Sequence, residues 1–160
     1  MTLAKPLVRR ALFLILAGTV VFGATACQPR RSLSTTTAFR PSSEADQVLS
    51  LLNGYRSENG LSALEVAGDA TAKAQQHSAD MAAQGTLFHS SDLAAGIQPG
   101  WSILGENVGV GSTPDELQAM FEASGPHRDN MLNGGYNQVG IGVSHGGDGR
   151  LYVTQFFVGR

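Results

Sequence analysis

Val139-Gly140-Ile141-Gly142-Val143 and Leu151-Tyr152-Val153-Thr154-Gln155-Phe156, joined by the turn-rich His145-Gly146-Gly147-Asp148-Gly149, are the stretch on which the fold turns. β-Branched and aromatic residues crowd both runs, and glycines clustered around an aspartate are turn chemistry, so the segment reads as a β-hairpin. Upstream, Ile103 to Val110 supplies a third strand, kinked where Gly105 and Gly109 interrupt it.

The residues around these strands read as helices. Val48, Leu51, Leu52 and Tyr55 recur at i, i+3, i+4 and i+7, an apolar stripe on a helix over 43–59 that Gly60 stops. Ala70, Ala74, His77 and Met81 form a second stripe, on a helix ending before Gly85. The third helix has the clearest start. Thr113 offers an N-cap hydroxyl, Pro114 takes the first helical position, and Glu116 stands at the capping-box position. Leu117, Met120 and Phe121 are its buried face; Gly125-Pro126 ends it, and Pro126 opens a short fourth helix to Leu132. Helices first and strands after them predict an α+β sandwich.

The chain has 160 residues, the size of one ordinary domain. Apolar residues make up 42% and charged residues 15%, which excludes disorder over most of the length. The charges are segregated. Residues 1–43 hold six of the eleven basic residues and no acid, whereas residues 44–160 carry all thirteen acids and a net charge of −8. A phosphate backbone needs clustered Lys and Arg, so nucleic acid is excluded as a partner of the folded part.

The N-terminus explains the segregation. Lys5, Arg9 and Arg10 precede an apolar run from Ala11 to Gly23, and Ala24-Thr25-Ala26 is a small-residue cleavage signal directly before Cys27, the one cysteine of the chain. This arrangement resembles the bacterial lipobox, with Ala24 where Leu is usual, and it implies lipidation at Cys27. Residues 1–26 are accordingly a lipoprotein-type signal peptide, and 27–43, rich in Arg, Ser, Thr and Pro, are a flexible tether. The expected location is extracytoplasmic, lipid-anchored at the cell membrane or secreted. The folded part, 44–160, has no cysteine and must be held together by packing.

Across 44–160 an ordered set of short motifs resembles the bacterial CAP superfamily, named for cysteine-rich secretory proteins, antigen 5 and plant pathogenesis-related proteins. The matching text is Leu52-Asn53 with Arg56 and Gly60-Leu61, His77-Ser78-Ala79-Asp80-Met81-Ala82, His89-Ser90 and Gly105-Glu106-Asn107-Val108-Gly109. It continues through His127-Arg128-Asp129-Asn130-Met131, Val139-Gly140-Ile141-Gly142, Tyr152-Val153-Thr154-Gln155 and Phe157. The resemblance implies a three-layer α-β-α sandwich with a small antiparallel sheet between helices.

Candidate chemistry lies in the histidines. His89, Glu106 and His127 come from separate segments, and imidazoles with a carboxylate are an ordinary ligand set for zinc or another divalent cation. By the resemblance, His89 and His127 match the two cleft histidines of the family and Glu106 its first glutamate. The second glutamate has no clean match. Ser124 falls at its place, and Glu122, two residues earlier, is rotated by roughly 200° to another helix face. Asn107 and Asn130 follow the cleft residues and have amides that can clamp backbone groups. His77 is expected to point inward, His145 to be solvated, and Arg128 to pair with Glu106 or Asp80.

No nucleophile stands out. The folded part lacks cysteine and a Gly-x-Ser-x-Gly elbow, and Ser90 and Ser91 beside His89 have no assigned orienting carboxylate. Three readings follow. The first is a non-catalytic, membrane-anchored domain whose cleft binds a divalent metal or small ligand. The second is a metal-dependent hydrolase of an envelope peptide or polymer, with Glu106 as general base. The third, allowed by the resemblance, is a lipid or sterol carrier.

Overall fold

A computed structural model describes residues 43–160; the expected signal peptide, Cys27 and all of the expected tether but Ser43 fall outside the described residues. Helix α1 spans Glu44–Glu58, β1 Glu65–Val66, α2 Gly68–Gln84 and β2 Ile103–Gly111. Then come α3 over Pro114–Ala123, α4 over Gly125–Met131, β3 over Gln138–His145 and β4 over Leu151–Gly159. The sheet order is β1-β3-β4-β2. The hairpin read from sequence is β3–β4, in antiparallel register with Ile141 opposite Gln155. Strand β2 pairs antiparallel with the other side of β4, Glu106 opposite Phe156. Gly105 and Gly109 do not break it, since all nine residues stay in the ladder.

One element escaped the sequence reading. The two-residue β1 pairs in parallel with β3, so the small sheet is antiparallel except at that edge. A strand this short carries no periodicity from which to be recognised.

Helix α2 covers one face of the sheet, and α1, α3 and α4 cover the other. This is the three-layer α-β-α sandwich. Strand β4 is central and buried along its whole length, which is why it reads as an apolar run rather than an alternation. Leu151, Val153 and Phe157 join Leu52, Leu117, Phe121 and Met131 in the core beneath α1, α3 and α4. The alternate residues Phe156 and Val158 meet Ala70 and Ala74 of α2, and Tyr152 meets Met81.

The α2 stripe is built of small residues because its backbone lies directly on β3. A Cβ at Gly140 would stand 2.0 Å from the carbonyl carbon of Ala70, and one at Gly142 would stand 2.1 Å from the carbonyl oxygen of Ala74. Only glycine permits that approach.

The helices follow the sequence signals with three amendments, the first being that Met120, expected in the buried face of α3, is 49% exposed while Gln118 is buried. The Thr113 hydroxyl accepts from the Glu116 amide as expected, but the Glu116 carboxylate turns to the Ser112 amide instead of back to Thr113. The reciprocal capping box belongs to α1, between Ser43 and Asp46. Helix α1 also buries Arg56 in place of Tyr55, which is only partly covered. The Arg56 guanidinium, 2% exposed, donates to the carbonyls of Ser62, Met131, Asn133 and Tyr136 and so ties α1 to the loops after α1 and α4. Burial without an anionic partner holds its pKa below the ordinary value.

Candidate functional site

Strand β2 lies at the edge of the sheet, and its alternation sends adjacent side chains to opposite faces. Glu106 faces the α2 side with Val108, and Asn107 faces the α3–α4 side. The segment between α2 and β2 folds over Glu106. His89 Nδ1 lies 2.9 Å from Glu106 Oε1, which also accepts the Ser90 amide at 2.9 Å. The Ser90 hydroxyl donates to Oε2 at 2.5 Å, and His77 Nε2 stands 3.8 Å from the same oxygen.

The carboxylate is thus enclosed, with 2% of its side chain exposed. Burial pushes the Glu106 carboxyl up, but the Ser90 hydroxyl and amide and the His89 ring together outweigh it. With His77 adding to that pull, the pKa falls below its ordinary value. Glu106 is therefore an ionised acceptor at neutral pH. A carboxylate oxygen can only accept, so His89 presents N–H at Nδ1, and in the neutral ring that tautomer puts the lone pair at Nε2, on a side chain 61% exposed.

His127 approaches from α4. Its ring packs edge-on against Phe121 at a centroid distance of 5.0 Å. Burial first, and then repulsion from the His89 ring when that ring is protonated, hold its pKa below the ordinary value, so the His127 ring is neutral at neutral pH. No hydrogen bond joins His127 to Glu106, and no group of three or more His, Cys, Asp or Glu side chains is gathered as a ready metal cage among the described residues. His89 is near enough to His127 to act on it electrostatically, and Glu106 hydrogen-bonds only His89 of the two.

The other candidates are distributed differently. Asn107 is fully buried, and its amide is consumed: Nδ2 donates to the His127 carbonyl and to Gln155 Oε1, and Oδ1 accepts from Asn130. It is a strut for α4. Ser124 is the junction residue between α3 and α4, and its side chain makes no cap bond there. Glu122 accepts from Gln118 on its own helix, away from Glu106. Arg128 does not reach a carboxylate; it donates to the Glu122 carbonyl. His77 points inward as expected, with Nε2 donating to the Phe88 carbonyl at 2.8 Å, and exposed His145 pairs with Glu44.

Sequence reasoning missed the carboxylate partner of Ser90, because seventeen to sixteen residues of chain separate Glu106 from the 89–90 pair. The adjacency of Ser90 to His89 was the available signal. A hydroxyl and an amide beside an imidazole are the donors a buried carboxylate requires.

Residues 49–158 match the model of the cysteine-rich secretory protein family. The chain belongs to that family. Its members need not be rich in cysteine, since this one has a single cysteine outside the matched region. It is 29% identical over 136 residues to the uncharacterized protein YkwD of Bacillus subtilis, covering 78% of this chain and 52% of the relative. The chain thus spans about half the length of that curated relative.

Among solved structures, an extracellular SCP-domain protein of Bacillus anthracis superposes with a TM-score of 0.61 at 27% identity, over 73% of this chain and 40% of that one. An outer surface protein of Borrelia burgdorferi gives 0.63 at 15% identity, over 73% and 92%. That second likeness is one of fold alone.

Proposed function

We propose that this chain is an extracytoplasmic binding domain, attached to the membrane through a lipidated Cys27, whose cleft at the edge of β2 takes a divalent cation. The imidazole donors favour zinc. The observation that carries the reading is the bond from His89 Nδ1 to the buried Glu106 carboxylate, which in the neutral ring leaves Nε2, on a largely exposed side chain, as the lone pair for a cation. A ligating imidazole backed by a carboxylate is the usual arrangement behind a metal-bound histidine. In this reading His89 and His127 are the ligands and Glu106 orients His89 without touching the cation. A bound cation would act there as a Lewis acid with coordination positions open to water or a small ligand.

The same geometry weighs against the hydrolase reading. Glu106 is a poor general base, because both oxygens already accept hydrogen bonds and its pKa is depressed. Ser90 spends its hydroxyl proton on that carboxylate, and no imidazole stands ready to activate it. The location rests on the signal-like N-terminus and on relatives described as extracellular and outer-surface proteins.

Calorimetry with zinc at neutral pH tests the cleft. Modest affinity is expected, lost in His89→Ala and His127→Ala and lowered roughly 10- to 100-fold in Glu106→Gln. Absence of any zinc binding would overturn the cation. Intact-mass measurement of the mature chain tests the anchor, which fails if Cys27 is unmodified.

A further inference from the structure

The dipeptide Asn-Gly occurs three times in the chain, at Asn53-Gly54, Asn59-Gly60 and Asn133-Gly134. In each pair a side-chain amide stands one residue from the backbone nitrogen of glycine, which no Cβ screens. By sequence the three pairs are equivalent. The fold makes them different.

At the two pairs of α1 the reacting groups are held. Gly54 lies inside the helix, where its amide is bonded to the carbonyl four residues back. The Asn53 side chain is gripped at both ends, Nδ2 donating to the Leu64 carbonyl and Oδ1 accepting the Leu64 amide. At the end of α1 the Gly60 amide donates to the Ser57 carbonyl, and Asn59 Nδ2 donates to the Tyr55 carbonyl.

The third pair, in the turn between α4 and β3, is arranged the other way. Among the described residues the exposed Gly134 amide has no hydrogen-bond partner, and neither has Asn133 Nδ2. Asn133 Oδ1 accepts the Gly135 amide at 2.8 Å, which draws electrons from the side-chain carbonyl carbon, Cγ. The peptide carbonyl of Asn133 accepts from the Arg56 guanidinium at 3.1 Å and from the Tyr136 amide at 3.4 Å. A cation on that oxygen pulls charge from the Asn133–Gly134 peptide group and stabilises the anion left when the Gly134 N–H ionises. Here alone of the three pairs are nucleophile and leaving group free and the electrophile polarised.

We propose that Asn133-Gly134 is a self-modification site, at which the folded chain promotes cyclisation of its own backbone. Gly134 gives its proton to solvent base, and its nitrogen bonds to Asn133 Cγ. The Cγ–Nδ2 bond then breaks, and Nδ2 takes a proton from solvent and leaves as ammonia. Water opens the resulting succinimide at either carbonyl, giving aspartate or isoaspartate at position 133. Isoaspartate routes the chain through the former side chain, in the loop that Arg56 ties to α1. The proposal does not rest on cation binding at His89 and His127.

Timed incubation of the purified full chain at mildly alkaline pH tests it, with peptide mapping of all three pairs and enzymatic methyl labelling of isoaspartate. Conversion at 133 should run at least about ten-fold faster than at 53 or 59. In urea, which removes the structural differences, the three rates should converge; this comparison needs no variant.

Gly134→Ala should suppress conversion, because the added methyl crowds the attacking nitrogen. It should leave the fold intact, since its Cβ would meet nothing nearer than Leu61 Cδ2 at 3.9 Å. The proposal is overturned if position 133 of the native chain converts no faster than 53 and 59. It is equally overturned if the lead of 133 persists undiminished in urea, or if Gly134→Ala converts at the native rate.

Discussion

The two faces of the sheet are packed by opposite means. On the α2 side a helix of small residues lies backbone against backbone on Gly140 and Gly142, with no side chain between. On the other side large side chains fill the gap, and Phe121 and Leu117 of α3 press against the space above Gly109. The polar interiors differ in the same way. The α2 face buries an ionised carboxylate, Glu106, whereas the α3–α4 face buries the neutral amides of Asn107 and Gln155, with half-buried Asn130 bonded to Asn107. Adjacent residues of one edge strand belong to different electrostatic regimes. A side-chain interface can relax around a change, and a backbone interface cannot.

Gly140→Ala should break the comparison most severely. Its new methyl group would have to displace the α2 backbone, and we expect a loss of more than about 4 kcal/mol in chemical denaturation, or no folding. A loss near that of an ordinary surface change would mean that α2 is free to lift from β3.

Next in size is Arg56→Ala beneath the opposite face. It strands four carbonyls and opens a void, at a cost of about 3 kcal/mol in the same assay. Arg56→Lys should recover only part of this, because an ammonium cannot fork to carbonyls on two loops.

Glu106→Gln should cost about 2 kcal/mol at neutral pH and should also change the acid limb of the stability curve. Glu106 has a depressed folded pKa, so its contribution is complete above the ordinary 4.5 and is lost as pH falls through the lower folded value. His127, also depressed, adds a decline that starts below 6.5, because the unfolded ring takes up its proton first. Glu106→Gln should therefore flatten the curve below pH 4.5 and leave the step below 6.5 in place. Asn107→Ala, on the other face, should destabilise without altering either limb. An acid limb unchanged in Glu106→Gln would show that this carboxylate is not the one that titrates.

The smallest expected effect is at the start of α3. Thr113→Ala removes the hydroxyl that accepts the Glu116 amide, and about 1 kcal/mol should be lost. The reciprocal contact is absent there, so Glu116→Gln should do little to the cap itself. A larger loss would mean that the Ser112–Glu116 bond matters more than the cap.

Local rules made most of the fold legible. The i, i+3, i+4 stripes, the Pro114 start and the glycine-rich turn each depend on residues within a few positions of one another, and the helices and the hairpin formed where those signals stand. Gly85 ends α2 in the left-handed conformation, as its position after the stripe required. The candidate cleft was legible in part, through residue type and family resemblance. What each residue does there was not.

The sequence by itself determined the helices, the hairpin, the charge segregation and the identity of the titratable groups. Tertiary structure alone decided that Arg56 lies inside and that Glu106 is enclosed by Ser90, His89 and His77. It also decided that Asn107 supports α4 and that His77 Nε2 reaches the Phe88 carbonyl across 11 residues of chain. The physical reason is range. Capping and periodicity act over one or two turns of chain, whereas the solvation and protonation of a buried group depend on partners that only folding brings within 3–4 Å.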